Sequence, residues 1–365
     1  MEQPRHRAPQ RRRRKKKKNY RPAIMLTAVI LAIFMLIGVG VYVYLDNLVN
    51  EGDAGQLTPD IVPTEPEISK KVVNLLVAGI DYDAEDDGRD YSDGLGMTDV
   101  IMYVSCDIEK GSIRMLQIPR DSYVGENVPT GGTGKINAVY SHGEDSRNRI
   151  SNLAKVVNEQ FKLPVDNYVT IDMAAFKKLI GILGGIEMYV PWDITDPEGN
   201  TVPQGTHFVD GNTAEWIVRQ RKEYNEGDLK RLEVQQYFYA AVFKTFMTFP
   251  MSDLIKVAPG LASYINTDLS ISEMLSLFGW LQKVDSSNIG IARCPGGSLY
   301  ETNGHKGMYG INAETLAPLL NEHFRPYGTP VEASELGLPK NLEFPVGEIA
   351  ASINLIGQLS SAATE

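Results

Sequence analysis

Cysteine and histidine are scarce in this chain of 365 residues, which has two cysteines and five histidines. The histidines form no pair at helical spacing, and no combination of cysteine and histidine has the spacing of zinc ligands, so the sequence indicates no zinc site. The cysteines, Cys106 and Cys294, are far apart in sequence. An oxidising exterior would permit a disulfide between them, while two buried free thiols are at least as good an interpretation.

Basic residues are also sparse outside the N-terminus. Eleven of the 36 Lys and Arg residues precede residue 22, where Glu2 is the only acid, which leaves 25 basic and 45 acidic residues in the remainder. The net charge of -10 therefore combines a tail of about +10 with a remainder of about -20. The basic run from Arg11 to Lys18 is typical of a nucleic-acid arm, but an uncharged apolar stretch follows almost at once. We therefore expect no nucleic-acid partner.

That apolar stretch, Ala23 to Leu45, predicts a transmembrane helix. Its 23 residues would extend about 35 Å as a helix, slightly more than the roughly 30 Å hydrocarbon core of a bilayer. A cleaved signal peptide would have a shorter apolar region and a small-residue cleavage site, whereas here Tyr42 and Tyr44 are typical interfacial anchors and Asp46 begins a polar stretch. Because basic residues remain in the cytoplasm, we expect a single-pass cell-membrane protein with a cytoplasmic N-terminus and an extracellular domain. Chemistry there would proceed without cytoplasmic ATP.

Composition divides the chain into five predicted segments. They are a basic cytoplasmic tail (1–22), the transmembrane helix (23–45), an extracytoplasmic stalk (46–70), one large folded domain (71–326) and a C-terminal extension (327–365). The stalk has few large apolar side chains and cannot bury a core. Proline, glycine and serine dominate the extension, which we expect to be an appendage, partly disordered. The sequence has no internal repeat, and it leaves the oligomeric state open.

Inside the large domain, short apolar runs typical of strands alternate with longer segments in which apolar residues recur at helical spacing. Strands are predicted at 72–80, 100–106, 113–118, 186–190 and 289–292, and helices at 151–161, 173–183, 213–220, 229–249, 270–281 and 313–324. This alternation predicts an α/β domain with a central sheet covered by helices on both faces. The interval from Tyr82 to Met97 is rich in Asp and Gly, so we expect a loop at the carboxyl end of the first strand, where α/β sheets commonly bind ligands.

Two carboxylates flank that loop. Asp81 follows the first strand and Asp99 begins the second. Each could be an ordinary turn or strand-start residue. Together they could hold a hard cation such as Mg²⁺, with Mn²⁺ as an alternative, and leave coordination positions for phosphate oxygens.

Charged residues also follow the third strand. Arg120 and Asp121 come directly after Pro119, and they could be a surface ion pair. Lys135 and Asn137 follow a loop rich in glycine, residues 131–134, whose backbone N–H groups could approach an anion.

The densest polar cluster extends from the end of one predicted helix into the start of the next. It consists of Arg219, Arg221, Asp228, Arg231 and Gln235. The two arginines can converge on a ligand where a helix ends, and the planar guanidinium binds phosphate oxygens with two parallel hydrogen bonds. The competing interpretation is a solvated helix face.

Taken in order, these segments strongly resemble the LytR-CpsA-Psr family of Gram-positive envelope proteins over residues Val72 to Pro326. The resemblance rests on Leu75 to Asp81, Thr98-Asp99, Ile118-Pro119-Arg120-Asp121, Lys135-Ile136-Asn137-Ala138-Val139-Tyr140, Leu183-Gly184-Gly185-Ile186, Val218-Arg219-Gln220-Arg221-Lys222 and Gly227-Asp228 to Gln235. It implies an α-β-α domain. It also implies a phosphotransferase that moves a glycopolymer from a polyprenyl-pyrophosphate carrier to a peptidoglycan hydroxyl through a phosphodiester, with the carrier supplying the energy-rich bond.

The resemblance also implies roles for individual residues. Asp81 and Asp99 would coordinate Mg²⁺, and Asp81 or Asp228 would be the base for the incoming hydroxyl. The residues that would hold the pyrophosphate or orient its ligands are Arg120, Asp121, Lys135, Asn137, Arg219, Arg221, Arg231 and Gln235. The residues that would be catalytic are Asp81, Asp99, Arg120, Arg219, Arg221 and Asp228.

The sequence departs from the family pattern at Met97, where an arginine is usual; Arg89 could reach the same ligand if its loop folds back. A lipid pocket would need apolar side chains, for which Phe238, Val242 and Phe246 are candidates at helical spacing; ordinary core packing explains them equally well.

Two other functions remain open: a pyrophosphatase that uses water in place of the sugar, and a non-catalytic binder of wall polymer or lipid. The basic tail could bind anionic lipid in either case.

Overall fold

The computed structural model describes residues 56–81, 96–172, 177, 180–181, 184–195, 199–219, 228–247, 265–299, 302–344 and 351–361. The strands in these ranges are β1 (Val72–Asp81), β2 (Met97–Asp107), β3 (Ser112–Gln117), β4 (Asn167–Asp172), β5 (Ile186–Val190), β6 (Ile194–Thr195), β7 (Thr201–Val202), β8 (Gly205–Val209), β9 (Ile265–Thr267), β10 (Ile289–Arg293), β11 (Gly296–Ser298), β12 (Tyr309–Ile311) and β13 (Ile353–Leu355). The helices are α1 (Ile136–His142), α2 (Arg149–Phe161), α3 (Gly211–Arg219), α4 (Asp228–Met247), α5 (Ile271–Leu281), α6 (Ala313–His323) and α7 (Ile356–Ser361).

Seven strands form a central mixed sheet in the order β13-β10-β3-β2-β1-β4-β9. The chain runs antiparallel through β1, β2 and β3, while β4 lies parallel to β1 and β10 lies parallel to β3. The edge strands β9 and β13 pair antiparallel over three residues each. Such short edges offer little unpaired backbone to another chain. Three separate two-stranded ribbons, β5/β8, β6/β7 and β11/β12, lie outside this sheet.

Successive residues of the central strands point to opposite faces of the sheet, and their side chains pack in two separate hydrophobic cores. On β1, Leu75 and Val77 enter a first core with residues of α3, α4, α5 and α7, while Leu76 and Ala78 enter a second core with residues of α1, α2 and α6. Because successive strand residues point to opposite faces, a continuous apolar run is what a strand buried on both faces requires. The prediction of an α/β sheet covered by helices on both faces is therefore confirmed.

Most predicted elements are present with ends shifted by a few residues. The structure adds β4, which pairs with β1 in the middle of the sheet, and α1, which begins directly after Lys135. The sequence of β4, Asn-Tyr-Val-Thr-Ile-Asp, contains too few consecutive apolar residues to predict a central strand from its own pattern. The predicted helix 173–183 lies mostly outside the described residues, although positions 177, 180 and 181 are helical.

The predicted stalk is corrected where the structure describes it. Ile61 is buried, and the backbone N–H groups of Val62 and Thr64 each donate to a side chain of the domain, Asn158 and Asp166, both at 2.7 Å. Residues 56–70 are therefore packed on the domain. A few well-spaced contacts suffice for this, and they leave no periodic signal in the sequence.

The C-terminal extension is corrected in the same way. Leu336 and Leu338 are buried in the second core, and β13 forms one edge of the central sheet by pairing with β10. The described parts of residues 327–365 thus belong to the folded domain. The expectation of an appendage is corrected here, and β13 was not predicted because a three-residue strand is recognisable only by the strand it pairs with.

The cysteines are separate, buried free thiols. Cys106 lies in the first core and Cys294 in the second, on the opposite side of the sheet. Burial raises the pKa of the Cys106 thiol to about 12 and that of Cys294 further still. Of the two alternatives that the sequence left open, the structure has the free thiols.

The predicted transmembrane helix, residues 23–45, lies outside the described residues. Within the part of the chain that the structure describes, no helix is long and apolar enough to cross a membrane.

Candidate active site

The site begins at an irregularity between β1 and β2. Gly79 is paired with Val100, but Ile80 is paired with Thr98, so Asp99 is an extra residue in the second strand. Such a bulge changes the direction of the side chain at that position and frequently lies beside functional sites. The next pair joins Asp81 to Met97, which brings the backbones of Asp81 and Asp99 to nearby positions on adjacent strands. The Asp81 side chain lies outside the described residues.

Four side chains of alternating charge extend from the bulge. Arg120 donates a hydrogen bond from Nη1 to Asp99, and its Nε lies 3.7 Å from Oδ2 of Asp121. Lys135 Nζ is 2.8 Å from Oδ1 of Asp121. The four side chains are between 11% and 24% exposed, so they do not form the surface ion pair that the sequence left open. Partly buried charges of this kind need opposite partners, and here each has one.

Short backbone connections hold these charges in position. Ser122 N–H donates to Pro119 O at 2.9 Å, which closes the turn that carries Arg120. The first turn of α1 then docks against it, because Asn137 N–H donates to Arg120 O at 3.1 Å and Ile136 N–H donates to Ser122 O at 2.9 Å. These hydrogen bonds therefore join the turn after β3 to the start of α1, with Lys135 at the junction.

The loop rich in glycine before Lys135 has backbone angles that favour glycine. Gly131, Gly132 and Gly134 have φ values of 59°, 81° and 70°. A Cβ on Gly131 would also lie 2.8 Å from ring atoms of His142, at the end of α1. The loop therefore requires glycine to pack closely against the helix that it precedes.

Asn137 lies between Met97, which stands where an arginine was expected, and the charged side chains of the site. Its Nδ2 lies 3.7 Å from Met97 Sδ, and its backbone carbonyl accepts from Thr98 Oγ1 at 3.3 Å. The Asn137 side chain is buried, and its Oδ1 has no hydrogen-bond partner among the described residues. A buried amide oxygen without a partner costs free energy, which a ligand donor would offset.

The ends of α3 and α4 are held near the same place by buried amides. Gln235 Nε2 donates to Val218 O at 3.5 Å, next to Arg219, which is the last residue of α3. Gln117 Nε2, at the end of β3, donates to Leu232 O at 3.4 Å, next to Arg231. These contacts bring backbone positions of the arginine-rich segment close to the strand that leads to Arg120.

Not every predicted site residue is described in full. Arg219, Asp228 and Arg231 have described backbones in α3 and α4 but no described side chains, and Arg221 lies outside the described residues. Gln235 is buried, and its contact with Val218 joins the two helices. Phe238 and Val242 are buried in the first core, which favours core packing over a lipid pocket, and the Phe246 side chain is not described.

Sequence reasoning missed a buried chain of amides behind the site. Gln236 Nε2 donates to Gln117 Oε1 at 2.9 Å, and Asn354 Nδ2 donates to Gln236 Oε1 at 2.7 Å. This chain links β3, α4 and β13. The available signal was Gln117 itself, a polar residue at the buried end of an apolar strand. A fully hydrogen-bonded network of this kind specifies one arrangement of its elements.

The donor set suits a hard cation only in part. Within the described residues, no group of three or more His, Cys, Asp or Glu side chains could hold a metal. Asp99 and Asp81 are two carboxylates on adjacent strands, which matches the one or two carboxylates that Mg²⁺ usually takes when substrate phosphates complete its shell.

Comparison with known proteins agrees with this geometry. The model of the LytR_cpsA_psr family matches residues 48–324. The chain belongs to this family. Its polyisoprenyl-teichoic acid–peptidoglycan teichoic acid transferase relatives include TagV of Bacillus subtilis (strain 168), 25% identical over 333 residues that cover 86% of this chain and 77% of TagV. TagU of Bacillus mycoides (strain KBAB4) is 27% identical over 258 residues, which cover 67% of this chain and 78% of TagU.

Solved structures of the LytR-CpsA-Psr family share the fold. The crystal structure of B. subtilis TagV matches with a TM-score of 0.56 and 25% identity, covering 72% of this chain and 99% of TagV. The structure of TagT bound to LIIa-WTA matches with a TM-score of 0.56 and 22% identity, covering 78% of this chain and 97% of TagT. The second likeness bears on the fold alone.

Proposed function

We propose that this chain is a membrane-anchored phosphotransferase that moves a glycopolymer from a polyprenyl-pyrophosphate carrier to peptidoglycan. The observation that carries the proposal is the alternating chain Asp99, Arg120, Asp121 and Lys135. It supplies two partly buried cations. Gln117, at the end of the strand that leads to Arg120, contacts the backbone of Leu232 near the start of α4. Family membership and the named activity of the TagV and TagU relatives support the same reaction.

In the proposed reaction, an acceptor hydroxyl oxygen attacks the phosphorus that carries the glycopolymer. The bond from this phosphorus to the bridging oxygen breaks, polyprenyl phosphate leaves with the electron pair, and the hydroxyl proton passes to a carboxylate. Asp81 and Asp228 are both candidates for that base. Phosphoryl transfer depends mainly on positioning and on neutralising oxygens around phosphorus, which is the role of Arg120, Lys135, Arg219, Arg221 and Arg231.

Arg120 has two successive partners in this proposal. Without ligand it donates to Asp99, and with pyrophosphate bound its guanidinium turns to the phosphate oxygens while Asp121 continues to orient it. This exchange releases the Asp99 carboxylate. Asp81 and Asp99 would hold Mg²⁺, or Mn²⁺, which when bound neutralises phosphate charge.

We further propose that residues 23–45 anchor the chain in the cell membrane with the folded domain outside. The carrier's isoprenoid chain is confined to the bilayer, so an anchored enzyme meets its donor at the membrane surface. The pyrophosphate bond of the donor supplies the driving force where ATP is absent. A membrane anchor and an extracellular domain therefore agree with a reaction that uses a membrane-bound donor and no ATP.

The test uses the full chain purified in detergent, a synthetic polyprenyl-pyrophosphate-linked sugar, and peptidoglycan oligomers, with and without Mg²⁺. Mass spectrometry should detect a phosphodiester-linked adduct that depends on Mg²⁺ and is lost in Arg219→Ala and Arg221→Ala. Lys110→Ala is the matched control because it removes an exposed cation in the turn between β2 and β3, at the opposite end of these strands from Asp99 and Arg120.

Two results would contradict the proposal. Release of the sugar phosphate or of inorganic phosphate without an adduct would identify a pyrophosphatase. Lipid binding without turnover at any Mg²⁺ or Mn²⁺ concentration would identify a binder, and Met97→Arg would then show whether the methionine is responsible.

A further inference from the structure

Lys135 follows directly after residues 131–134, which we name the glycine loop. The three glycines of this loop have left-handed φ values of 59°, 81° and 70°. Glycine has more conformational freedom than any other residue, so neighbouring groups must hold such a loop if the side chain after it is to keep one position. Lys135 does keep a defined position, with its Nζ 2.8 Å from Oδ1 of Asp121.

The imidazole of His305 packs against the last residue of the glycine loop. A Cβ on Gly134 would lie 3.1 Å from Cδ2 and 3.3 Å from Cγ of His305. Gly134 is buried, and the His305 side chain is 17% exposed. The ring therefore covers the backbone immediately before Lys135.

Hydrogen bonds from outside the glycine loop fix the His305 ring. Its Nε2 lies 3.4 Å from Oε1 of Glu126, and the same oxygen accepts from the Tyr123 hydroxyl at 2.7 Å. Asn303 Nδ2 donates to that hydroxyl, also at 2.7 Å. Thr302 N–H donates to His305 O at 3.1 Å and His305 N–H donates to Thr302 O at 2.9 Å, which closes the turn that carries the ring.

The chain that carries the imidazole is also attached to the site through its backbone. Tyr309 N–H donates to Asp121 O, and Tyr123 N–H donates to Tyr309 O, both at 2.9 Å. Tyr123 is in turn the antiparallel bridge partner of Lys135. The imidazole therefore closes over the glycine loop from a segment that is connected to both members of the Asp121–Lys135 ion pair.

We infer that His305 is a positioning residue for Lys135, and that Glu126 orients its imidazole. The consequence for the ligand rests on the proposed function, in which Lys135 binds pyrophosphate. His305 acts through the backbone in this role, because it restricts the glycine loop and so keeps the Lys135 ammonium in place. A cation that is ordered before the anion arrives loses little conformational entropy on binding.

The first measurement is amide hydrogen exchange of the full chain in detergent, without ligand, detected by mass spectrometry of peptides. His305→Ala should accelerate exchange of the glycine loop about tenfold and leave α2 unchanged, since only the loop loses a packing partner. An acceleration spread over the whole domain would indicate general destabilisation and overturn the inference. Loop exchange equal to that of the wild type would also overturn it.

His323→Ala is the matched control. His323 also lies beside a glutamate, with Nε2 3.5 Å from Oε1 of Glu322, and its side chain is 26% exposed. It belongs to α6 and has no contact with the glycine loop among the described residues. Its removal should leave exchange of the loop unchanged.

The second measurement is the affinity for inorganic pyrophosphate with Mg²⁺, by isothermal titration calorimetry. Lys135→Ala should weaken binding about 10- to 100-fold, since it removes one charge-assisted hydrogen bond. His305→Ala should weaken binding about three- to tenfold, because Lys135 must then be ordered by the ligand. Glu126→Ala, at an exposed position where folding is not at risk, should weaken it about two- to threefold.

A double-mutant cycle separates positioning from a general structural role. Because His305 acts through Lys135, adding His305→Ala to Lys135→Ala should change the affinity by less than about twofold. Losses that multiply independently would show that His305 affects the site by another route and would overturn the inference. Wild-type affinity in both His305→Ala and Glu126→Ala would overturn it as well.

These outcomes are distinguishable from those of the proposed function. Pyrophosphate binding that needs Lys135 but not His305 would overturn the inference and leave the transferase intact. Faster exchange of the glycine loop in His305→Ala, in a chain that binds no pyrophosphate, would leave the link between His305 and the loop intact and overturn the proposed role of Lys135.

Discussion

Arg120 donates a hydrogen bond to Asp99 although 21 positions of sequence separate them. The bond joins the turn after β3 to the bulge in β2, and Asp121 and Lys135 continue the same chain of charges. Both partners of the first pair are mostly buried, so neither charge is well hydrated. In the proposed reaction, a phosphate group would compete with Asp99 for the Arg120 guanidinium, which Asp99 and Asp121 already hold in place.

Replacing Arg120 with alanine should lower kcat/KM for transfer about 100- to 1000-fold, because one preorganised donor to the reacting phosphate is lost. The variant should also lose about 1–3 kcal/mol of stability, since Asp99 keeps a mostly buried charge without its donor. Steady-state kinetics and urea denaturation check the two effects. Lys71→Ala, which removes an exposed partner of Glu109, is the control and should change neither quantity appreciably. An Arg120→Ala variant with wild-type kinetics would remove Arg120 from the site.

Asp99→Asn should abolish the response to Mg²⁺ while preserving the fold. The amide oxygen can still accept from Arg120, so we expect a stability change within about 1 kcal/mol. Thermal unfolding with and without Mg²⁺ in the presence of a pyrophosphate ligand is the measurement, because a cation bound only to the native state raises Tm. Asp60→Asn, at an exposed acid near Lys155, should respond to Mg²⁺ as wild type does. An equal response in Asp99→Asn would exclude this carboxylate as a ligand.

Gln236→Ala should destabilise the domain by about 1–3 kcal/mol, because it removes the donor to Gln117 Oε1 and the acceptor of Asn354 Nδ2. Urea denaturation measures this loss, and Gln282→Ala at an exposed position of the same residue type is the control. The double variant Gln117→Ala with Gln236→Ala should cost less than the sum of the single changes, since the first change already removes their shared contact. Simple additivity would contradict the network.

Asp268 should make the domain less stable as the pH rises from about 4 to about 6. Burial raises the pKa of this carboxyl to about 6, against the hydrogen bond that it accepts from Tyr168 N–H at 2.9 Å. The native state therefore binds more protons than the unfolded state between the ordinary pKa of 3.8 and the raised one, and stability falls with pH through that range.

Comparison with Asp268→Asn isolates this effect from other titrating groups. The free energy of unfolding of the variant, relative to wild type, should increase by on the order of 2 kcal/mol between pH 4 and pH 7. Urea denaturation at several pH values measures it. A difference that stays constant across the range would show that the pKa of Asp268 is not raised.

Elements with local signals follow from the amino-acid sequence alone. The apolar run of β1 predicted a strand buried on both faces. The start of α5 was equally recognisable, since Ser270 and Glu273 form a reciprocal capping box at its first turn. Charged residues at the ends of apolar runs also marked Asp99, Arg120, Asp121 and Lys135 as candidates, and the family resemblance assigned them to one site.

The partners of these residues, in contrast, follow from how distant segments pack together. The Asp99 bulge depends on how β1 and β2 pair, and the contact of Asn137 Nδ2 with Met97 Sδ depends on how α1 packs against β2. The amide chain through Gln117, Gln236 and β13 likewise joins segments more than 100 positions apart. Sequence periodicity reports which side of an element faces the core, whereas contacts between distant segments exist only after the sheet has assembled and fixed their distances.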